Sequence, residues 1–295
     1  MKPFEYQAPT SIAEAIALLA DKDGKAHPLA GGTDLLVQLR RGLFEAGLLV
    51  DVKRIPELGR ITFDPVAGLT IGAAVTCAQL CEHPDARRLY PGLIDAASII
   101  GGAAIQGRAT LGGNLCNAAP SADSVPAMIV LNAVCTVVGP RGTRTIPADA
   151  FCTAPGKTVL GRDEMLVSIH FPPPPPNSGA CYRRFTPRRE MDIAVAGAGA
   201  WVALSNDLTI ITGARIALSA VAPTPLLVEA AGAILVGHAP TEASFAKAAE
   251  LAQQATSPID DVRGTEAQRR HLIGVLVKRT LHGATSRARG EKSYD

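Results

Sequence analysis

Two glycine pairs stand where the chain could hold an anion. Ala30-Gly31-Gly32-Thr33-Asp34 sets flexible residues between a predicted strand and a predicted helix. Without Cβ atoms, glycines let successive backbone N–H groups close around a pyrophosphate, and Thr33 and Asp34 add side-chain hydrogen-bonding groups at the start of the helix. Thr110-Leu111-Gly112-Gly113-Asn114 offers a second cradle, with Asp123 nine residues beyond Asn114. A carboxylate repels phosphate, so Asp123 reads as an acceptor for a ribose or ring hydroxyl. Taken singly, either pair is an ordinary tight turn in a chain carrying 28 glycines. Neither is a G-x-G-x-x-G fingerprint, and no P-loop occurs. Ala196-Gly197-Ala198-Gly199-Ala200 runs on into Trp201-Val202-Ala203-Leu204, a strand pattern rather than the helix that a dinucleotide loop requires.

The elements around these loops follow from hydrophobic spacing and turn chemistry. Ser11 with Glu14 three residues later starts a helix over 11–20, and a second helical pattern covers Leu35 to Arg41. Leu48–Val52 and Leu69–Ala73 read as buried strands, and this strand–helix alternation predicts an α/β layer in the N-terminal part. Asp95–Ile105 reads as helix, 106–123 as a loop carrying the second glycine pair, Val125–Leu131 as helix and Cys135–Val138 as strand. Five prolines, Pro172 to Pro176, cannot continue a helix or a central strand and mark a stiff connector between domains. Beyond it, strand patterns at Ala194–Leu204 and Leu208–Ala222 and helical patterns at Glu242–Gln254 and Thr265–Leu281 predict an α+β second domain. A polar, frayed tail is expected over 286–295.

Composition excludes several classes. Hydrophobic residues at 47% of 295 exclude a disordered chain, and 29 basic against 27 acidic residues give no reason to expect nucleic acid as partner. No run approaches the roughly 20 apolar residues of a membrane span. The opening Met1-Lys2-Pro3-Phe4-Glu5-Tyr6 carries no apolar stretch of an export signal. Six scattered cysteines read as reduced thiols, so a cytoplasmic location is expected.

Ala30–Leu36 taken with Thr110–Leu115 resembles the paired FAD motifs of the flavoprotein (medium) subunit of the molybdenum hydroxylase family, which includes xanthine dehydrogenase and carbon monoxide dehydrogenase. The similarity spans nearly the whole chain: Arg188–Ala194 resembles the segment that opens the family's C-terminal domain, and Asp261–Thr265 with Arg269-Arg270-His271 resembles its last helix. Gly32–Leu36, Leu39–Leu43 and Leu115-Cys116 are similar to the medium subunit of 4-hydroxybenzoyl-CoA reductase. The chain lacks that subunit's iron–sulfur insert between Cys116 and Asp123, and Cys77 and Cys81 are too few for a cluster. An oxidising hydroxylase complex is therefore the preferred branch.

The resemblance implies an α+β chain. A two-lobed vanillyl-alcohol-oxidase-type (PCMH-type) FAD-binding domain would occupy 1–175, with lobes at about 1–55 and 56–175. A small CO-dehydrogenase-flavoprotein C-terminal domain would occupy 177–285. It further implies that Pro28, Leu29, Ala30, Gly31, Gly32, Thr33 and Asp34 wrap the FAD pyrophosphate, with Thr110, Gly113 and Asn114 on its other side. Cys116, Ala119 and Asp123 would line the adenosine or ribityl portion, Ile100 the isoalloxazine face and Leu166 the adenine, while Arg184 stands where relatives often place a flavin-directed Lys. Molybdopterin and [2Fe–2S] clusters would belong to a large and a small partner subunit, in a dimer of heterotrimers. Electrons would pass through FAD here to an external acceptor, with no general acid or base in this chain.

Simpler readings stand beside these. His27 reads as a solvated loop residue, His271 as exposed or interfacial, Cys116 as a small buried apolar residue, and Arg183, Arg184, Arg188 and Arg189 as a solvated basic face. A self-sufficient FAD oxidase on the same fold and a non-redox nucleotide-binding scaffold are the alternatives in function. The oxidase would need a larger substrate-capping domain, and the scaffold leaves the whole-chain resemblance unexplained.

Overall fold

A computed structural model describes residues 2–21, 25–188 and 190–291. Arg189 of the basic face, Met1 and residues 292–295 of the predicted tail lie outside the described residues.

The N-terminal part builds a three-stranded parallel sheet with Leu48–Asp51 between Glu5–Gln7 and Ala26–Leu29. Its central strand is buried at every residue, which is why it reads as a continuous apolar run instead of an alternating one. Helix Ile12–Asp21 connects the outer strands and buries Ala15, Ile16 and Leu19 against Leu48 and Val50. Ser11 and Glu14 start it as their spacing predicts, with the Glu14 N–H donating to Ser11 Oγ at 3.2 Å. From Leu29 the chain passes through the first glycine pair into helix Leu35–Arg40.

The second sheet departs from the α/β expectation. Its five strands, in the order Ile61–Asp64, Gly68–Gly72, Met165–Phe171, Val134–Gly139 and Gly142–Pro147, pair antiparallel throughout. Tight turns close its two outer hairpins, so no helix is needed to cross between those strands. All the helices between 77 and 130 instead form one long insertion covering the sheet, and the chain is α+β as a whole. Within that insertion the expected helix over 95–105 is broken. Pro91–Ala97 ends, Gly101 takes φ +61°, and Ala103–Gln106 starts again. The expected loop over 106–123 contains helix Leu111–Asn117.

After Phe171 the proline run leads to a four-stranded antiparallel sheet of Ser178–Phe185, Ala196–Leu204, Ile211–Ser219 and Leu226–Leu227. Helix Glu266–Ala288 lies along its first two strands, and its last turn extends into the segment expected to fray. Strand Ala196–Leu204 is built of small residues because it is covered on both sides, by that helix and by Ser124–Val130. Arg287 clamps this sheet to the rest of the molecule through both oxygens of Asp95, at 2.6 and 2.8 Å, and through the Ala180 carbonyl. Among the described residues no helix is long and apolar enough to cross a membrane.

Candidate cofactor-binding site

The two glycine pairs converge on one cavity. It has a volume of about 470 Å³, within the range of small-molecule and cofactor sites, and both pairs line it. The backbones of the two loops touch directly. A Cβ at Gly31 would overlap the Arg108 carbonyl oxygen, so only glycine lets the first loop lie against the second lobe. Gly32 turns the loop with φ +74°, and the amides of Gly32 and Thr33 donate to no backbone or side-chain group among the described residues. These amides are free for a bound anion.

The second pair works differently. Gly112 and Gly113 form the first turn of helix Leu111–Asn117, and Thr110 is its N-cap, accepting from the Gly113 N–H at 2.8 Å. A hydroxyl that accepts this bond keeps its own proton to give to a phosphate oxygen. Gly112 presses the helix onto strand end Ala73, where a Cβ would stand 2.5 Å from the Ala73 carbonyl oxygen. Asn114 is held by Ser124, whose hydroxyl donates to Asn114 Oδ1 at 2.7 Å, leaving the amide NH₂ as a donor.

Apolar walls close the cavity elsewhere. Ile100 lines it on one side, and Leu160, Met165 and Leu166 line it from the Gly156–Leu166 stretch. That stretch is braced by Glu164, which accepts a forked pair of hydrogen bonds from Arg144 at 3.0 and 2.7 Å and the Gly161 N–H at 2.7 Å. These donors hold the Glu164 carboxyl well down, at about 2. Burial pushes the Asp34 carboxyl up and the Cys116 thiol up to about 12, so Cys116 serves as an apolar wall and no thiolate forms near neutrality.

Of the residues singled out in the sequence, Pro28, Ala30, Gly31, Gly32, Thr33, Asp34, Ile100, Thr110, Gly113, Asn114, Cys116 and Leu166 all line this cavity. Leu29, Ala119, Asp123 and Arg184 are not among its lining residues. Leu29 is buried with Leu39 and Leu49 beneath the first loop. Asp123 and Arg184 form a buried ion pair, and Asp123 also accepts from the Tyr182 hydroxyl at 2.8 Å. Burial raises the Asp123 carboxyl, while the guanidinium and the phenol pull it back. Arg184 is thereby engaged with a carboxylate instead of forming part of a solvated basic face. His27 is likewise no loop residue: it sits on strand Ala26–Leu29, lines the cavity and packs its ring 4.7 Å from that of Phe44. Burial lowers its pKa, which favours the neutral imidazole.

Sequence reasoning missed Gln38, Asn117, Ser124 and the 156–165 stretch. Ser124 is the start of a helix and Gln38 a polar position on a short one, and nothing local marks either as part of a site. Only Gly156 and Gly161 carried a signal, as turn residues before a strand.

Comparison with known proteins identifies the family. The family described as FAD binding domain in molybdopterin dehydrogenase matches residues 2–174, and the CO dehydrogenase flavoprotein C-terminal domain matches residues 180–284. A putative xanthine dehydrogenase FAD-binding subunit of Escherichia coli is 36% identical over 97% of both chains. The carbon monoxide dehydrogenase medium chain of Hydrogenophaga pseudoflava is 34% identical over 96% of this chain and 98% of its own. A solved structure of that organism's carbon monoxide dehydrogenase, lacking the Mo-pyranopterin moiety of the molybdenum cofactor, superposes with a TM-score of 0.92 over 97% of this chain and 99% of the other at 35% identity. The chain belongs to the FAD-binding medium subunits of the xanthine and carbon monoxide dehydrogenase family.

Proposed function

We propose that this FAD-binding subunit of a heteromeric molybdenum hydroxylase takes electrons from [2Fe–2S] clusters of a small partner subunit and passes them to an external acceptor. The substrate is oxidised at molybdopterin in a large subunit. The observation that carries this reading is the single cavity shared by both glycine motifs, with free amides at its polar part and aliphatic walls elsewhere. When bound, FAD supplies the redox chemistry. The protein's own residues bind and orient it. The Gly32 and Thr33 amides, the Thr110 hydroxyl and the Asn114 amide would hold the pyrophosphate, and Leu166 would pack the adenine. Ile100, which lines the cavity, would exclude water from one isoalloxazine face.

Asp123 and Arg184 act in this reading as a buried ion pair that does not line the cavity, so neither is given a direct contact with the cofactor. The connector at Pro172–Pro176 separates an FAD-binding domain over 1–175 from a C-terminal domain over 177–285. The assembly is a dimer of heterotrimers in the cytoplasm, in keeping with six free cysteines.

A visible absorption spectrum of the purified chain, with the released chromophore identified by mass, tests the cofactor. Flavin bands and the mass of FAD are expected, and a colourless protein that ignores added FAD overturns the reading. Sedimentation of the chain co-expressed with its partners tests the assembly. A complex containing two copies of each subunit is expected, and a single heterotrimer refutes that stoichiometry.

A further inference from the structure

The two glycine-bearing elements meet across the cavity in two unlike ways. On one side the backbone of Gly31 abuts that of Arg108 and Ala109, a contact that no side-chain rotation can open. On the other, Gln38 Nε2 donates to Asn117 Oδ1 at 2.8 Å. Both amide side chains are half-buried and both line the cavity. Gln38 is tied to the first cradle, because its N–H donates to the Asp34 carbonyl at 2.9 Å. Asn117 is the last residue of the helix that carries the second cradle. Changing a rotamer on either side chain breaks this contact without moving the backbone.

Asn117 is also held in place from behind. Ala118, buried, takes the left-handed conformation at φ 48°, which an L-residue adopts only where its surroundings enforce it. Its N–H donates to the Leu115 carbonyl and its own carbonyl accepts from the Gly156 N–H, both at 3.0 Å. These two bonds fix the chain immediately after Asn117, at the end of the helix.

We propose that Gln38 and Asn117 form a latch that must open for the dinucleotide to leave, so that these two positioning residues set how long the cofactor stays bound. This inference rests on the FAD reading above. The pair ties the two elements at a second point on the cavity wall, at the C-terminal end of helix Leu111–Asn117, and it adds no charge that would repel the phosphates. It is the openable one of the two contacts, so it governs exchange while the Gly31 contact fixes the fold.

The test is the rate of flavin release from the loaded full-length chain, followed by the rise in flavin fluorescence. Gln38→Ala and Asn117→Ala are each expected to release FAD about fivefold faster, the value of one net hydrogen bond. The double variant is expected to be no faster than either single one, because both remove the same bond. The exchanged pair, Gln38→Asn with Asn117→Gln, restores the reach between the two side chains and slows release again. Melting of the flavin-free protein should fall by no more than the small amount one net hydrogen bond is worth, and should recover in the exchanged pair. Release at the wild-type rate in both alanine variants overturns the latch, as does full additivity in the double variant or failure of the exchanged pair to rescue. So does a lowered flavin-free melting point with release unchanged, since that marks a bond serving only the fold. A wild-type chain that takes up no FAD fails the cofactor reading itself, and the latch falls with it.

Discussion

The same three letters, glycine, glycine and a nearby threonine, do different physical work in the two motifs. At Gly31-Gly32-Thr33 they make an open turn between a parallel strand and a helix, with Gly32 at φ +74° and amides left free. At Thr110–Gly113 they make the capped first turn of a helix, its amide bonded to Thr110 and its backbone pressed on Ala73. One glycine pair presents backbone donors, and the other lets a helix come close enough for Thr110 and Asn114 to present side-chain donors. A shared motif thus records only that backbone must pass closely there, and what the closeness serves is set by the neighbours.

The sharpest way to break this contrast is to restore a Cβ where backbones touch. Gly31→Ala and Gly112→Ala each force one backbone away from another, and each should cost at least ~2 kcal/mol of stability, read as a lowered melting temperature together with loss of bound flavin. Gly32→Val should separate the two effects. It strains a left-handed residue by about 1–2 kcal/mol yet meets only the side chains of Leu29 and Leu36, so flavin retention should fall further than melting does. Equal losses of stability at positions 31 and 32 would erase the distinction.

On the helical side, if Asn114 donates to the pyrophosphate as proposed, Asn114→Ala should weaken FAD binding about tenfold, measured by titrating flavin into the flavin-free protein. Ser124→Ala frees the Asn114 side chain and should weaken binding in the same direction by less. The two losses should not add, because the second acts through the first. Full additivity would mean that Ser124 acts on its own.

The smallest expected effect is a pH dependence. Glu164 is depressed to about 2 in the folded protein by Arg144 and the Gly161 amide, against an unfolded value of 4.5. A carboxyl depressed by folding adds stability that is complete above the unfolded value and lost as pH falls through the folded one. The stretch carrying Leu160 and Leu166 should therefore loosen between about pH 4.5 and about pH 2. Glu164→Gln should flatten the melting temperature across that window, and an unchanged pH profile in the variant would show that the Arg144 fork contributes nothing there.

Much of the scaffold was legible because its signals are local. Ser11 and Glu14 start the first helix, the apolar run Leu48–Val50 is a buried parallel strand, and Glu242–Gln254 is a helix over the range its periodicity predicts. Helix Leu111–Asn117 was hidden because two glycines lower helix propensity by about 1 kcal/mol each, and only the Thr110 cap and packing on Ala73 overcome that. Strand Ser178–Phe185, with Gly179, Arg183 and Arg184, reads poorly as a strand, and forms one because Ala196–Leu204 pairs with it along its whole length.

The site divides along the same line. The sequence alone determined the two motifs, the strand and helix that flank the first, and most of the residues that line the cavity from within each motif, since these depend on spacings of a few residues. Only the tertiary structure decided that Gln38 meets Asn117 and that Ser124 fixes Asn114. It also decided that His27 is enclosed beside Phe44, and that Arg184 is matched with Asp123 away from the cavity walls. Each of these depends on which remote surface a side chain comes to face, and that is set by how the sheets and helices pack, a quantity no short stretch of sequence contains.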